Sequence, residues 1–301
     1  MLSERLTKYL AASVKGEGHG KNLRSQPNSD VKAKQRALSF KPSFMTTLYY
    51  SRPDIKEQRK ERYTAEFGSV LLDSYSGSLS FEDRILLRLN HFATKTCLEI
   101  EEELGIILDS NPKQYYNILV KEMLGLPKTK YIEEFEIAGI SIKTIRIKSD
   151  GMPKESMSFS TFDPRELVKE KDWKESDLFR ELDHEFLIPV FRFEKKPDKV
   201  KRKELRFIGA FFWKLTDEDL DTVCGVWEDT KMKIEAKRSD FVKISDDRIA
   251  HIRPHDVKKR MDSDGNDITK KSFWLNAKYW KIIIDNELDD SNKKFNQSRL
   301  Q

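Results

Sequence analysis

Apolar residues follow two different spacings along the chain, and the change falls near residue 127. From residue 51 to residue 127 they recur every three or four positions, which is the spacing of one face of an α-helix. Two such faces occur in succession, and they comprise Phe81, Ile85, Leu89 and Phe92, then Tyr115, Leu119 and Met123. The pattern predicts a layer of several helices, and Asn111 and Pro112 are typical of the cap and first turn of the last one.

Beyond residue 127, short runs rich in Ile, Val, Phe and Trp predict β-strands. The clearest runs are "ISIKTIRI" at Ile140–Ile147, "FLIPVFRF" at Phe186–Phe193, "LRFIGAFFWKL" at Leu205–Leu215 and "RIAHIRP" at Arg248–Pro254. The second and third are predicted to form a hairpin with an exposed, charged tip. Helical stretches such as "PRELVKE" and "TDEDLDTVCGVWEDTKMKIEAK" lie between or beside them. The chain is therefore predicted to be an α/β protein, with a mixed β-sheet flanked by helices and a helical layer on its N-terminal side.

The first 50 residues differ from the rest, because they mix Gly, Ser and Asn with only a short helical signal around "VKAKQRALSF". We predict an N-terminal arm over residues 1–50 that contains one ordered helix, and a domain over residues 51–301. Within that domain, residues 51–127 are predicted to be helical, residues 128–285 to contain the sheet, and residues 286–301 to form a C-terminal tail.

The composition is typical of an intracellular protein with a hydrophobic core and a highly charged surface. Of the 301 residues, 38% are hydrophobic and 36% are charged. No run approaches the roughly 18 apolar residues needed to span a bilayer, and the N-terminus lacks the layout of a secretory signal. Cys97 and Cys224 are the only cysteines, and we expect them to be reduced thiols of little functional weight. These features predict a soluble protein without a membrane partner.

Positive charge is concentrated in the N-terminal arm. Between Met1 and Lys41 there are nine Lys or Arg residues against three acidic residues, whereas the whole chain carries a net charge of only +5. A basic arm on a balanced body is typical of a protein that binds a polyanion, because Lys and Arg placed on phosphates release condensed counterions. A solvated terminus without such a role is the alternative that charge alone leaves open.

Ser141 and Lys143 fall on the same side of the strand predicted at "ISIKTIRI", because side chains repeat every second residue. A carboxylate-x-lysine pair on such a strand is a common way to build a metal-dependent phosphodiesterase site. Here a serine stands where the carboxylate would be. The strand has therefore either lost this chemistry or never had it.

Two apparent metal motifs fail on spacing. "DSDGND" at Asp262–Asp267 begins like a calcium loop, but Gly265 stands at the fourth position instead of the sixth, and the twelfth position is not Glu. His251 and His255 are four residues apart, but Pro254 separates them and no third ligand is evident. We therefore predict a turn at the first motif and no zinc site at the second.

The stretch "HIRPHDVKKR" is typical of an element that faces a nucleic-acid groove. Arg253, fixed by the proline that follows it, can donate two hydrogen bonds to the edge of a guanine. The residues that can contact phosphates or a further base are His255, Lys258, Lys259 and Arg260. An ordinary basic loop after a strand is the alternative.

"KSFWLNAKYW" is predicted to be a strand or short helix with Phe273 and Leu275 packed inward. Trp274 should then point the other way, toward solvent or a ligand. An exposed Trp beside lysines suits contact with nucleic acid, although large aromatic residues are more often part of a core.

Taken together, "ISIKTIRI", "KESMSFSTF", "HIRPH" and "KSFWLN" resemble the MutH mismatch-repair nicking enzyme and the Sau-type restriction endonucleases, both specific for GATC. The N-terminal segments "LTKYLAASVKG", "NLRSQPNSDVKAKQRALSF" and "MTTL" resemble the start of the C-terminal half of the Sau-type enzyme. The resemblance covers nearly the whole chain. It implies a restriction-endonuclease-like fold of the PD-(D/E)xK type and a bacterial, cytoplasmic protein.

The resemblance also implies where an active site would lie. Active members use a helix glutamate, then Asp-x6-Glu-x-Lys along a strand, and their carboxylates hold Mg²⁺. These four positions correspond here to Lys121, Glu134, Ser141 and Lys143, so two of the three acidic positions are replaced. We expect no metal in this chain alone, and Mg²⁺ only in a catalytic half or if the chain is active. A shifted carboxylate from Glu122, Glu133 or Glu136 is the alternative.

In contrast to the acidic positions, the positions that contact DNA in the family hold suitable residues in this chain. The resemblance implies base contacts from the turn at Arg253, Pro254 and His255, and an aromatic side chain, Trp274, lying against the DNA. Phosphate contacts are expected from Lys258 and Lys259, and from Arg24, Lys32, Lys34 and Arg36 in the arm. His255 departs from the family pattern, because the nicking enzyme has a lysine at this position.

Retained readout with replaced metal ligands is typical of an effector domain. The resemblance therefore implies an allosteric effector domain that binds GATC in duplex DNA and partners a catalytic MutH-like nuclease domain in a type II restriction endonuclease. The alternatives are an active Mg²⁺-dependent GATC-specific endonuclease and an interaction module that has lost DNA binding.

Overall fold

The structure is a computed structural model. It describes residues 10–14, 23–26, 29–34, 36–40, 45, 67–68, 80–126, 131–132, 135, 139–197, 201–254, 260 and 268–298. Contacts divide the chain into two compact units. The first unit comprises residues 1–73 and 128–140, and the second comprises residues 74–127 and 141–301.

The described part of the first unit consists of short paired strands. Antiparallel pairs form between β1 and β4 and between β2 and β3, whereas β5 and β6 are parallel. In chain order these strands are β1 (Leu10–Val14), β2 (Leu23–Gln26), β3 (Ser29–Lys34), β4 (Arg36–Phe40), β5 (Phe67–Gly68) and β6 (Tyr131–Ile132).

The helix predicted around "VKAKQRALSF" is wrong, because that stretch forms β3 and β4. Lys, Ala, Gln and Arg are good helix formers, but helix propensity is a weak preference that tertiary contacts can override. Cross-strand pairing outweighs this preference, since Leu23 lies opposite Lys34 and Leu10 lies opposite Phe40. The arm therefore contains hydrogen-bonded strands where a helix was expected.

The predicted helical layer is confirmed over residues 80–126 of the second unit, whereas Phe67–Gly68, also predicted to be helical, form β5. Leu89, Tyr115 and Leu119 are fully buried, as the periodicity requires. Thr96 caps the second helix in a capping box with Glu99, whose backbone N–H donates to the threonine hydroxyl. The helices are α1 (Phe81–Asn90), α2 (Cys97–Leu104) and α3 (Tyr115–Met123).

The start predicted for α3 is wrong. The helix begins at Tyr115 with Gln114 at the cap, so Asn111 and Pro112 lie in the preceding turn. The Arg202 guanidinium donates hydrogen bonds to the carbonyls of Ser110 (2.8 Å), Asn111 (2.9 Å) and Pro112. The Pro112 carbonyl also accepts the Tyr115 N–H (3.1 Å), so it joins the turn to the first residue of the helix, while Arg202 holds the turn from the hairpin end.

A buried carboxylate fixes the helical layer to the rest of the unit. Glu101 accepts hydrogen bonds from the Tyr115 hydroxyl (2.6 Å), the Lys203 ammonium (2.7 Å) and the Leu108 N–H (3.1 Å). Burial alone would raise the pKa of Glu101, but these three donors outweigh it, and the pKa lies below its ordinary value. Because its charge is matched in this way, the carboxylate is tolerated in the interior.

A four-stranded mixed sheet forms the centre of the fold. The predicted hairpin is confirmed, because Phe186 lies opposite Trp213 in an antiparallel pair. The strands are β7 (Ile140–Ile142), β8 (Ile145–Ile147), β10 (Glu185–Arg192) and β11 (Arg206–Trp213). On the side away from β11, β10 pairs in parallel with β8, in a register that sets Val190 against Ile145, and β7 joins the same edge.

Glycine is required at one point of this sheet. Gly209 has φ +142° and lies at a β-bulge opposite Val190. A Cβ at Gly209 would come within 3.2 Å of Leu288, so the missing side chain lets the C-terminal helix approach the strand.

A second, three-stranded antiparallel sheet carries the stretches singled out for DNA contact. Its order is β12–β13–β9, with Ile252 opposite Phe273 and Leu275 opposite Met157. The strand predicted at "RIAHIRP" is confirmed, and "KSFWLN", predicted to be a strand or a short helix, contains a strand. The strands are β9 (Met157–Phe162), β12 (Ala250–Pro254) and β13 (Lys271–Leu275), and the remaining helices are α4 (Pro164–Leu167), α5 (Asp177–Leu182), α6 (Asp217–Glu235) and α7 (Ala277–Ser298).

One hydrophobic cluster joins both sheets with α5, α6 and α7. It includes Ile188 and Trp213 from the first sheet, Phe273 from the second, and Val223 and Trp280 from the helices. Each sheet therefore has one face in the core, which leaves the other face of the three-stranded sheet to carry polar and aromatic groups. Within the described part of the chain, no helix is both long and apolar enough to cross a membrane.

Candidate nucleic-acid interface

Lys143 lies at the interruption between β7 and β8, at the edge of the four-stranded sheet. Its backbone N–H donates to the Leu187 carbonyl (3.0 Å), which keeps the broken strand attached to β10. Its ammonium is 3.5 Å from a Glu181 carboxylate oxygen and 5.2 Å from the centre of the Phe159 ring. Ser141, half-buried and two residues earlier, lies within β7.

Glu181 is the main site residue that the sequence did not reveal. It lies on α5, whose Leu178 and Leu182 are buried and whose N-terminus is capped by the Ser176 hydroxyl. One carboxylate oxygen of Glu181 approaches Lys143, and the other accepts the backbone N–H of Ser160 (2.8 Å). Glu181 is 38 residues from Lys143 along the chain, so no local spacing indicated this pair.

The described residues do not fit a Mg²⁺ site of the kind that the family uses. Mg²⁺ takes near-octahedral oxygen ligands and usually one or two protein carboxylates. Ser141 offers a hydroxyl, Lys121 on α3 and Lys143 offer ammonium groups, and both oxygens of Glu181 are engaged. Glu134 lies outside the described residues. Among the residues that are described, no three His, Cys, Asp or Glu side chains cluster as metal ligands do.

Arg253, Trp274 and His251 form a row on the face of the three-stranded sheet that points away from the core. His251 lies directly opposite Trp274 across the β12–β13 pair, and Arg253 follows two residues later on the same face. The His251 and Trp274 rings are nearly parallel, at 22° with centroids 6.5 Å apart. The Arg253 guanidinium carbon is 4.9 Å from the centre of the Trp274 ring.

His251 is completely buried, and neither ring nitrogen has a hydrogen-bond partner among the described residues. Burial lowers the pKa of His251 from 6.5 to about 4, and the positive charge of Arg253 acts in the same direction. The ring is therefore neutral at pH 7. A neutral imidazole can lie beside a guanidinium without charge repulsion.

The rest of this face is polar, with Ser158 and Thr161 exposed and Ser272 buried. Ser158 on β9 is exposed and lies opposite Trp274, while Thr161 is exposed and lies opposite Ser272. Pro254 is exposed at the end of β12, and Arg260 is exposed where the described chain resumes. His255, Lys258 and Lys259 lie outside the described residues. The face thus carries a half-buried arginine, a half-buried indole whose N–H is buried, and the exposed hydroxyl groups of Ser158 and Thr161.

The basic residues of the arm lie on the paired strands of the first unit. Arg24 on β2 and Lys32 on β3 are exposed. The backbones of Lys34 and Arg36 belong to β3 and β4, and their side chains lie outside what the structure describes. The described cations are therefore accessible to a polyanion.

Two comparisons with known proteins show what the chain is similar to. The family model for the DNA mismatch repair enzyme MutH matches residues 126–224. The type II restriction enzyme Sau3AI of Staphylococcus aureus is 28% identical over an alignment of 341 positions, which covers 95% of this chain and 66% of that enzyme. The chain thus spans 66% of the length of this relative. The predicted resemblance is confirmed, and the mixed α/β architecture is consistent with the predicted restriction-endonuclease-like fold.

Proposed function

Starting from the similarity of this chain to the MutH and Sau-type family, we propose that it binds duplex DNA containing GATC as an effector domain of a type II restriction endonuclease. In this proposal the chain does not cleave DNA by itself. The observation that carries the proposal is Ser141, an uncharged side chain at the position where the family needs a metal-binding carboxylate.

Charge at this position supports the absence of cleavage. A metal-bound site needs negative charge beside the lysine, but Ser141 supplies none and Lys121 stands where the family has a helix glutamate. Glu181 already balances Lys143, and its second oxygen is held by Ser160. Removing that carboxylate from its partners to bind Mg²⁺ would leave Lys143 and the Ser160 N–H unpaired. No metal cofactor is therefore proposed for this chain alone, and Mg²⁺ belongs to the catalytic partner.

DNA readout is assigned to the outer face of the three-stranded sheet. The Arg253 guanidinium has paired donors that suit the O6 and N7 atoms of guanine. Pro254, the next residue, fixes its own backbone φ angle directly after Arg253. Trp274 lies beside Arg253, and the neighbouring hydroxyl groups suit phosphate or sugar contacts. His255, Lys258 and Lys259 would continue this contact, and Arg24, Lys32, Lys34 and Arg36 would add phosphate contacts from the arm.

An effector role requires a second, catalytic MutH-like domain whose cleavage-competent state is favoured when GATC is bound here. A coupling of about 1 to 3 kcal/mol between the two sites would be ordinary. The alignment with Sau3AI covers 66% of that enzyme, which is more than either half of it. The assignment to an effector half therefore rests on the replaced acidic positions and not on the extent of the alignment.

Two assays on the purified chain test the proposal. A supercoiled plasmid with GATC sites, incubated with Mg²⁺ or Mn²⁺, should remain uncut. A gel shift should show a preference for a GATC duplex over a scrambled duplex of about a thousandfold or more, as is usual for specific DNA binding. Arg253→Ala should lose this preference, whereas Lys32→Ala should weaken both duplexes alike.

The competing functions give different results in the same assays. Plasmid nicking that disappears in Glu134→Ala would identify an active endonuclease and contradict the proposed role of Ser141. Absence of binding to either duplex would identify an interaction module without DNA contact. Equal losses on both duplexes for Arg253→Ala would show that this arginine does not read the sequence.

A further inference from the structure

We propose that Trp274 and His251 are positioning residues, which hold the Arg253 side chain in the orientation in which it meets a base edge. The inference rests on the proposed binding of GATC. It adds two residues that determine specificity without themselves touching a base.

The geometry of the sheet brings the three side chains together. His251 and Trp274 are an opposed cross-strand pair, and such pairs have neighbouring Cβ atoms. Their rings lie at 22° to each other, so His251 limits the directions in which the indole can turn. Arg253 then lies with its guanidinium carbon 4.9 Å from the indole centre, within the range of a cation–π contact.

This arrangement restricts an otherwise flexible side chain. Arginine has several rotatable bonds, and ordering them on binding opposes association. A guanidinium already held against an aromatic ring loses less freedom when it binds a guanine edge. The planar fork must also lie in the plane of the base pair to donate two hydrogen bonds, so its orientation decides whether guanine is distinguished from the other bases.

His251 has properties that suit this supporting position better than a structural one. It is fully buried, and neither ring nitrogen makes a hydrogen bond of ordinary length and angle with a described residue, although the Asn276 side chain is near enough to oppose the lowering of its pKa. Its ring is flat enough to stack on the indole and remains uncharged beside Arg253. The lowered pKa of His251 agrees with this uncharged state.

The inference separates two roles for Trp274. If Trp274 acts through Arg253, its replacement matters only while Arg253 is present. If Trp274 lies directly against the DNA, its replacement weakens binding whether or not Arg253 is present. A double-mutant cycle distinguishes the two roles.

The experiment measures Kd for a GATC duplex and a scrambled duplex with the full chain and its variants Trp274→Leu, Arg253→Ala and the double variant. Trp274→Leu is expected to lower the GATC preference about tenfold, which corresponds to loss of one partly buried cation–π contact. It should change binding of the scrambled duplex less than about twofold, and the double variant should match Arg253→Ala. Further weakening of GATC binding in the double variant would overturn the inference.

Conservative and matched variants separate positioning from folding. Trp274→Phe keeps an aromatic face and should retain most of the GATC preference of the wild-type protein. His251→Phe keeps a flat ring and should retain it as well.

Trp173→Leu is the matched control, because it removes a half-buried indole that contacts Phe179 and Trp227 far along the chain from β12 and β13. It should lower thermal stability and leave the GATC preference unchanged. An equal loss of preference in Trp173→Leu and Trp274→Leu would refute positioning.

A measurement without DNA keeps this inference distinct from the proposed function. In the free protein, the Trp274 ring current should shift the proton resonances of the Arg253 side chain upfield, and Trp274→Leu should abolish the shift. An absent shift overturns the inference even if GATC is bound. If the shift is present but the chain does not prefer GATC, the proposed function fails and the contact between the two side chains stands.

Discussion

His251 is an ionisable ring in a completely buried position on β12. Its pKa is lowered to about 4 in the folded protein, whereas an unfolded chain has a histidine pKa near 6.5. Between these two values the unfolded chain binds a proton and the folded protein does not. Stability is therefore complete above pH 6.5 and is lost progressively as the pH falls toward 4.

We predict that this single ring contributes up to about 3 kcal/mol to the loss of unfolding free energy between pH 6.5 and pH 4. Urea unfolding of the wild-type protein and His251→Phe at several pH values between 5 and 7 measures it, because carboxylates with a lowered pKa contribute little there. The variant should show a clearly smaller slope against pH. Parallel slopes for the two proteins would rule out His251 as the source.

Local sequence pattern identified some site residues and could not identify others. Ser141 and Lys143 were found because the run "ISIKTIRI" alternates as a strand does, and Arg253 was found because a proline and basic residues follow it. Trp274 was placed on the outer face by the same alternation, but its contact with Arg253 depends on the pairing of β12 with β13, which alternation does not give. Glu181 was missed because a pair of charges 38 residues apart has no local signature.

At the scale of secondary-structure elements, α5 is a connection between the two sheets. Through Glu181 it contacts Lys143 at the edge of the four-stranded sheet and the Ser160 N–H on β9 of the three-stranded sheet. The buried Leu178 and Leu182 fix the helix from its other side. A six-residue helix is too short to be stable alone, so these tertiary contacts hold it.

We predict that Glu181→Ala lowers the unfolding free energy by about 1 to 2 kcal/mol, because it leaves both a half-buried ammonium and a backbone N–H without their acceptor. Glu181→Gln keeps an acceptor for Ser160 and should lose less. Chemical denaturation measures both. Glu175→Ala, an exposed acid just before the same helix, is the matched control and should leave stability unchanged.

The ordering of these variants carries the test. If the glutamine variant is as unstable as the alanine variant, the ion pair with Lys143 is the important contact and the Ser160 bond is not. If neither variant differs from the Glu175 control in unfolding free energy, α5 is held by its leucines alone. The contacts of Glu181 with the two sheets then do not stabilise the protein.

Elements with strong periodicity were predictable, and elements defined by partners were not. The helical layer and α6 have long amphipathic patterns, and the hairpin of β10 and β11 has two continuous apolar runs, so all of these were found. The arm was assigned a helix because "VKAKQRALSF" contains helix-forming residues, but its strands are decided by pairing with β1 and β2. Helix propensity does not decide the structure of a segment that can pair with a neighbouring strand.

At the scale of the whole molecule, the basic residues of the arm and the residues proposed to read the sequence lie in different parts of the chain. The arm carries Arg24 and Lys32 on exposed strand positions, whereas Arg253 lies on the three-stranded sheet. Phosphate contacts supply affinity that depends on salt, and base contacts supply discrimination. The two contributions should therefore be separable by mutation.

We predict that the double variant Arg24→Ala/Lys32→Ala binds all duplexes more weakly and reduces the slope of log K against log salt concentration by about 2, because each lost phosphate contact removes about 0.9 from the slope. The preference for GATC over a scrambled duplex should stay unchanged. Fluorescence anisotropy with both duplexes from 50 to 200 mM salt measures slope and preference together.

Lys195→Ala/Lys196→Ala removes the same charge from the exposed hairpin tip and should leave the slope as in the wild-type protein. If the two double variants reduce the slope equally, general charge and not the arm governs affinity, whereas a changed GATC preference in the arm variant would place base readout in the arm as well.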